Sequence, residues 1–244
     1  MLLSFCVLLA VVYTAGCRNR ETSFASPEEA AHILENCGGD TCAQLSGSLH
    51  LALPLRPKVC SVVATRGEFE TNSDDALLQI QCSMDFELVL LTRDSDGRWH
   101  GADSMPFPVG DYDAIAVGLK RLIDKNYDAI TIHDDTVSYG NGLYQADFLV
   151  LHISNRKLHV VLDTVEKGAF HPPEGEGLNH WVEQRSSFDI TSATEKEPGS
   201  VTEMMDLDVG GKKAAMEREY HWQKDLGIFE PSFWTRPTEP DAVK

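Results

Sequence analysis

From residue 143 to residue 222 the chain holds a series of short strand-like segments, and two-residue breaks separate two pairs of them. Segments 143–154 and 157–165 flank Asn155-Arg156, and segments 201–209 and 212–222 flank Gly210-Gly211. A period of two puts successive side chains on opposite faces of a strand. Two residues suffice to reverse an antiparallel hairpin when they tolerate positive φ, as glycine and asparagine do. Residues 213–226 also hold helix formers, Ala214 to Arg218, but the Gly-Gly pair between strand-like flanks favours the hairpin. Residues 129–138 and 181–191 read as further strands. Residues 59–69 and 77–92 are rich in β-branched and large apolar side chains and are separated by a turn at 71–75. The acidic turn Asp94-Ser95-Asp96-Gly97 then leads into a return strand bearing Trp99.

Helices are confined to two places. Ser26 is an N-cap, Pro27 suits the first helical position, and Glu28 and Glu29 complement the positive helix end. Ala30, Ala31, Ile33 and Leu34 form the apolar side, and Gly38-Gly39 stops the run. Asp111 caps a second predicted helix, with Ala114, Ile115, Gly118, Leu119, Leu122 and Ile123 at helical spacing. The fold class expected is α+β, with β-rich antiparallel sheets and two short helices. Because each helix precedes a group of strands, two α+β units are expected, 26–105 and 111–230. The corner Met105-Pro106-Phe107-Pro108 leads into the join, and Pro-rich residues 231–244 form a loose tail.

The first sixteen residues carry no charge and hold one apolar run, too short to span a bilayer but of signal-peptide length. Small residues Ala15 and Gly16 precede Cys17, and polarity then switches at Arg18, Asn19, Arg20 and Glu21. With Thr14, Ala15, Gly16 and Cys17, this segment resembles the signal of bacterial lipoproteins. The resemblance implies a signal peptide over 1–16 and cleavage before Cys17. It also implies a diacylglyceryl group on the Cys17 sulfur and a polar tether over 17–25. A membrane partner through that lipid, and a cell-envelope address facing an extracytoplasmic compartment, follow from the same resemblance. More than one acyl chain anchors stably without any protein span.

Setting aside Cys6 and Cys17 leaves Cys37, Cys42, Cys60 and Cys82. An even number in an exported chain reads as disulfides. Cys37 and Cys42 enclose a short Gly-rich loop, and Cys60 and Cys82 lie in adjacent strand candidates. That pairing is favoured, although four cysteines allow three. A zinc site competes weakly, since no CxxC pair occurs.

The net charge of -17, with no basic block, disfavours nucleic acid as a partner. No GxSxG elbow, phosphate loop, dinucleotide fingerprint or HExxH helix occurs, and no cofactor is expected. Asp94, Asp96, Gly97 and Asp103 match positions of a calcium loop. Thr92 stands where its first carboxylate belongs, so a plain acidic turn is expected. His133, Asp134 and Asp135, with His152 and His159 on neighbouring strands, are the densest ligand-like group. His133, Asp135 and His152 are the metal candidates, against polar residues on a solvated sheet face. Tyr139-Gly140-Asn141-Gly142 reads as a turn. Trp99, Trp181 and Trp222 read as core anchors, with Trp234 in the tail set apart. The function expected is a membrane-tethered, non-catalytic binding or assembly module with an envelope protein as partner. The alternative is a hydrolase or metal-dependent enzyme using His133 and nearby acids.

Overall fold

A computed structural model describes residues 22–52, 55, 60–70, 74–82, 85–108, 115–133, 137–140, 143–170 and 182–236. The signal segment, Cys17, Asp111, Asp134, Asp135, Asn141, Gly142 and Trp181 lie outside them. The fold is α+β, with two short helices and two antiparallel sheets.

Helix α1 (Pro27–Asn36) begins as its sequence directs: the Ser26 hydroxyl accepts from Glu29 N at 3.1 Å. Its apolar side, Ala30, Ala31 and Leu34, is buried. The second helix is α2 (Asp40–Ser48), not the one predicted from Asp111. Gly39, at φ +50°, makes the elbow between the two helices, and the Cys37–Cys42 disulfide spans that elbow.

Sheet one runs β1 (Cys60–Gly67), β2 (Asp75–Cys82), β3 (Asp85–Arg93), β4 (Trp99–Pro108), each antiparallel to its neighbour. It is covered on both faces. Ala76, Leu78, Ile80, Val89 and Leu91 pack under α1 and α2. Leu77, Phe86, Leu88, Leu90 and Phe107 face the second sheet. Burial on both sides is why 86–91 reads as an almost unbroken apolar run rather than an alternation.

The second sheet is nine-stranded and entirely antiparallel. Its elements are β5 (Ala116–Lys120), β6 (Ala129–His133), β7 (Val137–Gly140), β8 (Leu143–Ser154), β9 (Lys157–Phe170), β10 (Val182–Thr191), β11 (Ser200–Val209), β12 (Lys212–Gln223) and β13 (Ile228–Pro231). Their spatial order is β13-β12-β11-β10-β9-β8-β6-β5, with β7 paired to β8. The hairpin turns behave as predicted: Asn155 and Arg156 sit at φ 54° and 58°, Gly210 and Gly211 at 58° and 85°. β8 is buried on both faces. Leu149, Leu151 and Ile153 meet sheet one, whereas Phe148 and Val150 join Val201, Tyr220 and Phe229 in a third cluster.

Two expectations fail here. Residues 116–120 form strand β5, paired to β6 from Ala116↔His133 to Lys120↔Ala129. Ile115, Val117 and Leu119 turn together into the core between the sheets, so the same apolar residues satisfied a period of two. The tail is not loose throughout. β13 pairs with β12, Ser232 N donates to Glu219 O, and Thr235 exchanges two 2.8 Å bonds with Glu217.

Cys37, Cys42, Cys60 and Cys82 form the disulfides Cys37–Cys42 and Cys60–Cys82, which removes the zinc reading. Cys60 and Cys82 are direct cross-strand partners in β1 and β2. Closing that 22-residue separation restricts the unfolded chain by about 3 kcal/mol in the chain-entropy model. Replacing both with alanine is expected to lower unfolding free energy by about that amount in urea titrations. Replacing Cys37 and Cys42 should cost less, because their loop is shorter.

Candidate functional site

His133 ends β6, and its Nδ1 lies 3.0 Å from Glu166 Oε2 on β9, with the ring 4.9 Å from Phe148. A carboxylate on one imidazole nitrogen fixes the tautomer and orients the other nitrogen for proton transfer. Sequence reasoning missed Glu166, because only the β6-β8-β9 order brings it beside His133.

His152 does not join this pair. His133 faces Phe148 across β6 and β8, and His152 lies four residues further along β8, roughly 13 Å at strand rise. His152 and His159 are direct cross-strand partners. Among the described residues no group of three His, Cys, Asp or Glu side chains is placed to hold a metal ion.

His152 instead lies edge-on to Trp222, ring centroids 6.1 Å apart, in a cleft of about 690 Å³ that Ile123 and Tyr127 also line. Burial pushes the His152 pKa below its ordinary value; nearby Glu70 opposes this and His159 reinforces it. The cleft walls, 121–128 and 193–199, are tied together. Ala193 N donates to Arg121 O and Gly199 N to Leu122 O, both at 2.7 Å, and Lys125 pairs with Glu195 at 2.8 Å.

The acidic turn is self-contained. Asp94 Oδ1 accepts from Asp96 N and Arg98 N at 2.9 and 2.8 Å, and Oδ2 lies 2.7 Å from His100 Nε2. Asp103 sits apart on β4, accepting from Leu158 N at 2.9 Å. The carboxylates of the supposed calcium loop therefore do not converge.

The densest buried polar group was not foreseen. Glu203 on β11 is fully buried. Its Oε1 accepts from the Ser186 hydroxyl at 2.6 Å, and its Oε2 from Arg218 Nε at 2.9 Å and the Tyr220 hydroxyl at 2.6 Å. Thr164 Oγ1 lies 3.0 Å from the Tyr220 oxygen and accepts from Arg218 at 3.2 Å. Burial, and then the bond to Glu203, push the Tyr220 pKa well above the ordinary phenol value. The Arg218 guanidinium lies between two rings, 4.8 Å from Tyr220 and 4.0 Å from Trp234. Trp234 is thus held by a cation–π contact. A satisfied network of this kind specifies packing rather than chemistry.

No family model, curated protein or solved structure matches this chain.

Proposed function

We propose that the protein is a membrane-tethered envelope lipoprotein whose folded body is a non-catalytic binding module. The observation that carries this reading is how the body takes hold of the chain just after Cys17. Phe24 is 1 % exposed and exchanges two 2.9 Å backbone bonds with Trp99 at the edge of β4. Arg98 donates to Ser23 O at 2.8 Å, and the Thr22 hydroxyl donates to Ser48 Oγ at 2.8 Å. Five positions separate Cys17 from Thr22. Even fully extended they reach ~18 Å, so a lipid on Cys17 would hold the body close to the bilayer surface. Two disulfides fit an oxidising compartment. No helix among the described residues is long and apolar enough to cross a membrane.

The test is the intact mass of the protein recovered from its native membrane fraction. The expected species begins at Cys17, carries acyl chains and gains four hydrogens on reduction. A chain produced from residue 17 onward with Cys17→Ser should stay in the soluble fraction with an unchanged melting temperature, since Thr22 is the first of the described residues held by the body. An unlipidated chain retaining Met1 would overturn the tether. A turnover activity lost in His133→Ala would overturn the non-catalytic assignment.

A further inference from the structure

The last hairpin leaves part of its outer edge open. Glu217 exchanges both its backbone bonds with Thr235, so its N–H and C=O point away from β11. Backbone polarity alternates along a strand, so Ala215 and Lys213 also point outward, while Met216, Ala214 and Lys212 point to β11. The turn fixes the same phase from its other end. A two-residue hairpin is closed by a reciprocally bonded pair, here Val209 with Lys212. β13 covers β12 from Tyr220 to Gln223, and residues 232–235 cover Glu217 and Glu219. Among the described residues nothing pairs with the outer edge of 212–216.

The chain's own continuation is a poor partner for that edge. Carrying the Glu217–Thr235 register onward would set Pro237 opposite Ala215 and Glu239 opposite Lys213. A reciprocal pair at Ala215 needs an N–H that proline lacks.

Beside the edge lies a cleft of about 500 Å³ lined by Glu183, Arg185, Asp206, Asp208, Lys213 and Ala215. Strand register arranges these as two cross-strand rows, Glu183-Asp208-Lys213 and Arg185-Asp206-Ala215. Each row ends at the open edge, one on a cation and one on a methyl group.

We propose that the 212–216 edge of β12 is a strand-addition site for an extended, acid-bearing segment of a partner protein. Main-chain bonds to Lys213 and Ala215 supply the attachment. An acidic side chain opposite Lys213 extends the first row with a favourable cross-strand pair. A larger side chain fits opposite Ala215. A second copy fits less well. Antiparallel pairing about Ala214 sets Lys213 against Ala215, gives neither lysine an acid from the other copy, and joins two bodies of net charge -17. The inference deepens the binding-module reading and rests on it for the partner, but not on the lipid.

The test uses the whole mature chain with Cys17→Ser and follows amide hydrogen exchange by NMR. The probe is a capped nonapeptide of alternating valine and threonine with one central glutamate. Exchange at Lys213 and Ala215 should be fast in the free protein and slow roughly tenfold or more with peptide, as protection requires bonded amides. Ala214 and Met216, already bonded to β11, should not change. Lys213→Glu, which leaves the backbone alone, should weaken the effect, and Ala215→Pro should abolish it while the rest of the hairpin stays protected. Slow exchange in the free chain that becomes fast on deleting 237–244 would assign the edge to the tail. Protection that grows with protein concentration would assign it to a second copy. Either result overturns the proposal, as does fast exchange that the acid-bearing peptide leaves untouched. None of these outcomes bears on lipidation, which the mass measurement decides.

Discussion

Replacing Glu203 with alanine should lower unfolding free energy by about 3–5 kcal/mol, the cost typical of breaking a buried charge pair from one side. The reason lies in what remains. Glu203 is fully buried and takes hydrogen bonds from Ser186, Arg218 and Tyr220. Without it the Arg218 charge stays between the Tyr220 and Trp234 rings with no carboxylate against it. Arg218→Ala should be comparably severe, because it leaves a buried carboxylate held by two hydroxyls alone. The double variant should cost clearly less than the sum of the two, since each single change strands the other partner. Tyr220→Phe removes one bond to a charged group and should cost about 1.5–3 kcal/mol. Urea titrations monitored by tryptophan fluorescence measure all four. Arg218→Ala should also red-shift the Trp234 emission, because the guanidinium stacks on that ring. Single variants that are each nearly neutral and strictly additive would show that the network contributes little.

That network was written into the sequence, but not in a form local pattern reading recovers. Val201, Glu203 and Met205 share one face of β11, so an acid at the central inward position already marked a buried charge. Its partner Arg218 lies directly across β12 in the register that Gly210-Gly211 sets. The turn and the alternation, both legible, were together enough to predict the pair. His133 and Glu166 differ. They meet only because β6 and β9 flank β8, and that strand order is decided by tertiary packing. The misplaced helix has a similar origin. Ile115, Leu119, Leu122 and Ile123 fit a period of 3.6, and Ile115, Val117 and Leu119 fit a period of two. Pairing with β6 chose between them. The second helix, α2, escaped notice because its first turn holds Cys42 and follows two glycines, a composition that reads as a loop.

Leu88→Ala should destabilise by about 2–5 kcal/mol, as for other fully buried leucines, and its larger interest is where that loss appears. Leu88 is fully buried on the face of β3 that meets the second sheet. The cluster it belongs to takes Leu77, Leu88, Leu90 and Phe107 from sheet one, and Ile130, Ile132, Leu149, Leu151 and Ile153 from the nine-stranded sheet. Polar ties reinforce the seam. The Glu70 carboxylate accepts from the backbone N–H groups of Asn155 and Arg156 at the β8–β9 turn, and Arg121 pairs with Glu68 at 2.6 Å. If this shared core makes the two sheets one cooperative unit, slow-exchanging amides of β2, β3, β6 and β8 should all lose the same protection in Leu88→Ala. Leu78→Ala, on the helix-facing side of β2, should then produce the same uniform loss, although it belongs to the helix-side cluster and not to the core shared with the second sheet. Independent units would behave differently. Leu78→Ala would weaken protection in β2 and β3 alone and leave β6 and β8 at their original values. That outcome would mean the seam holds two separately folding bodies together rather than making one.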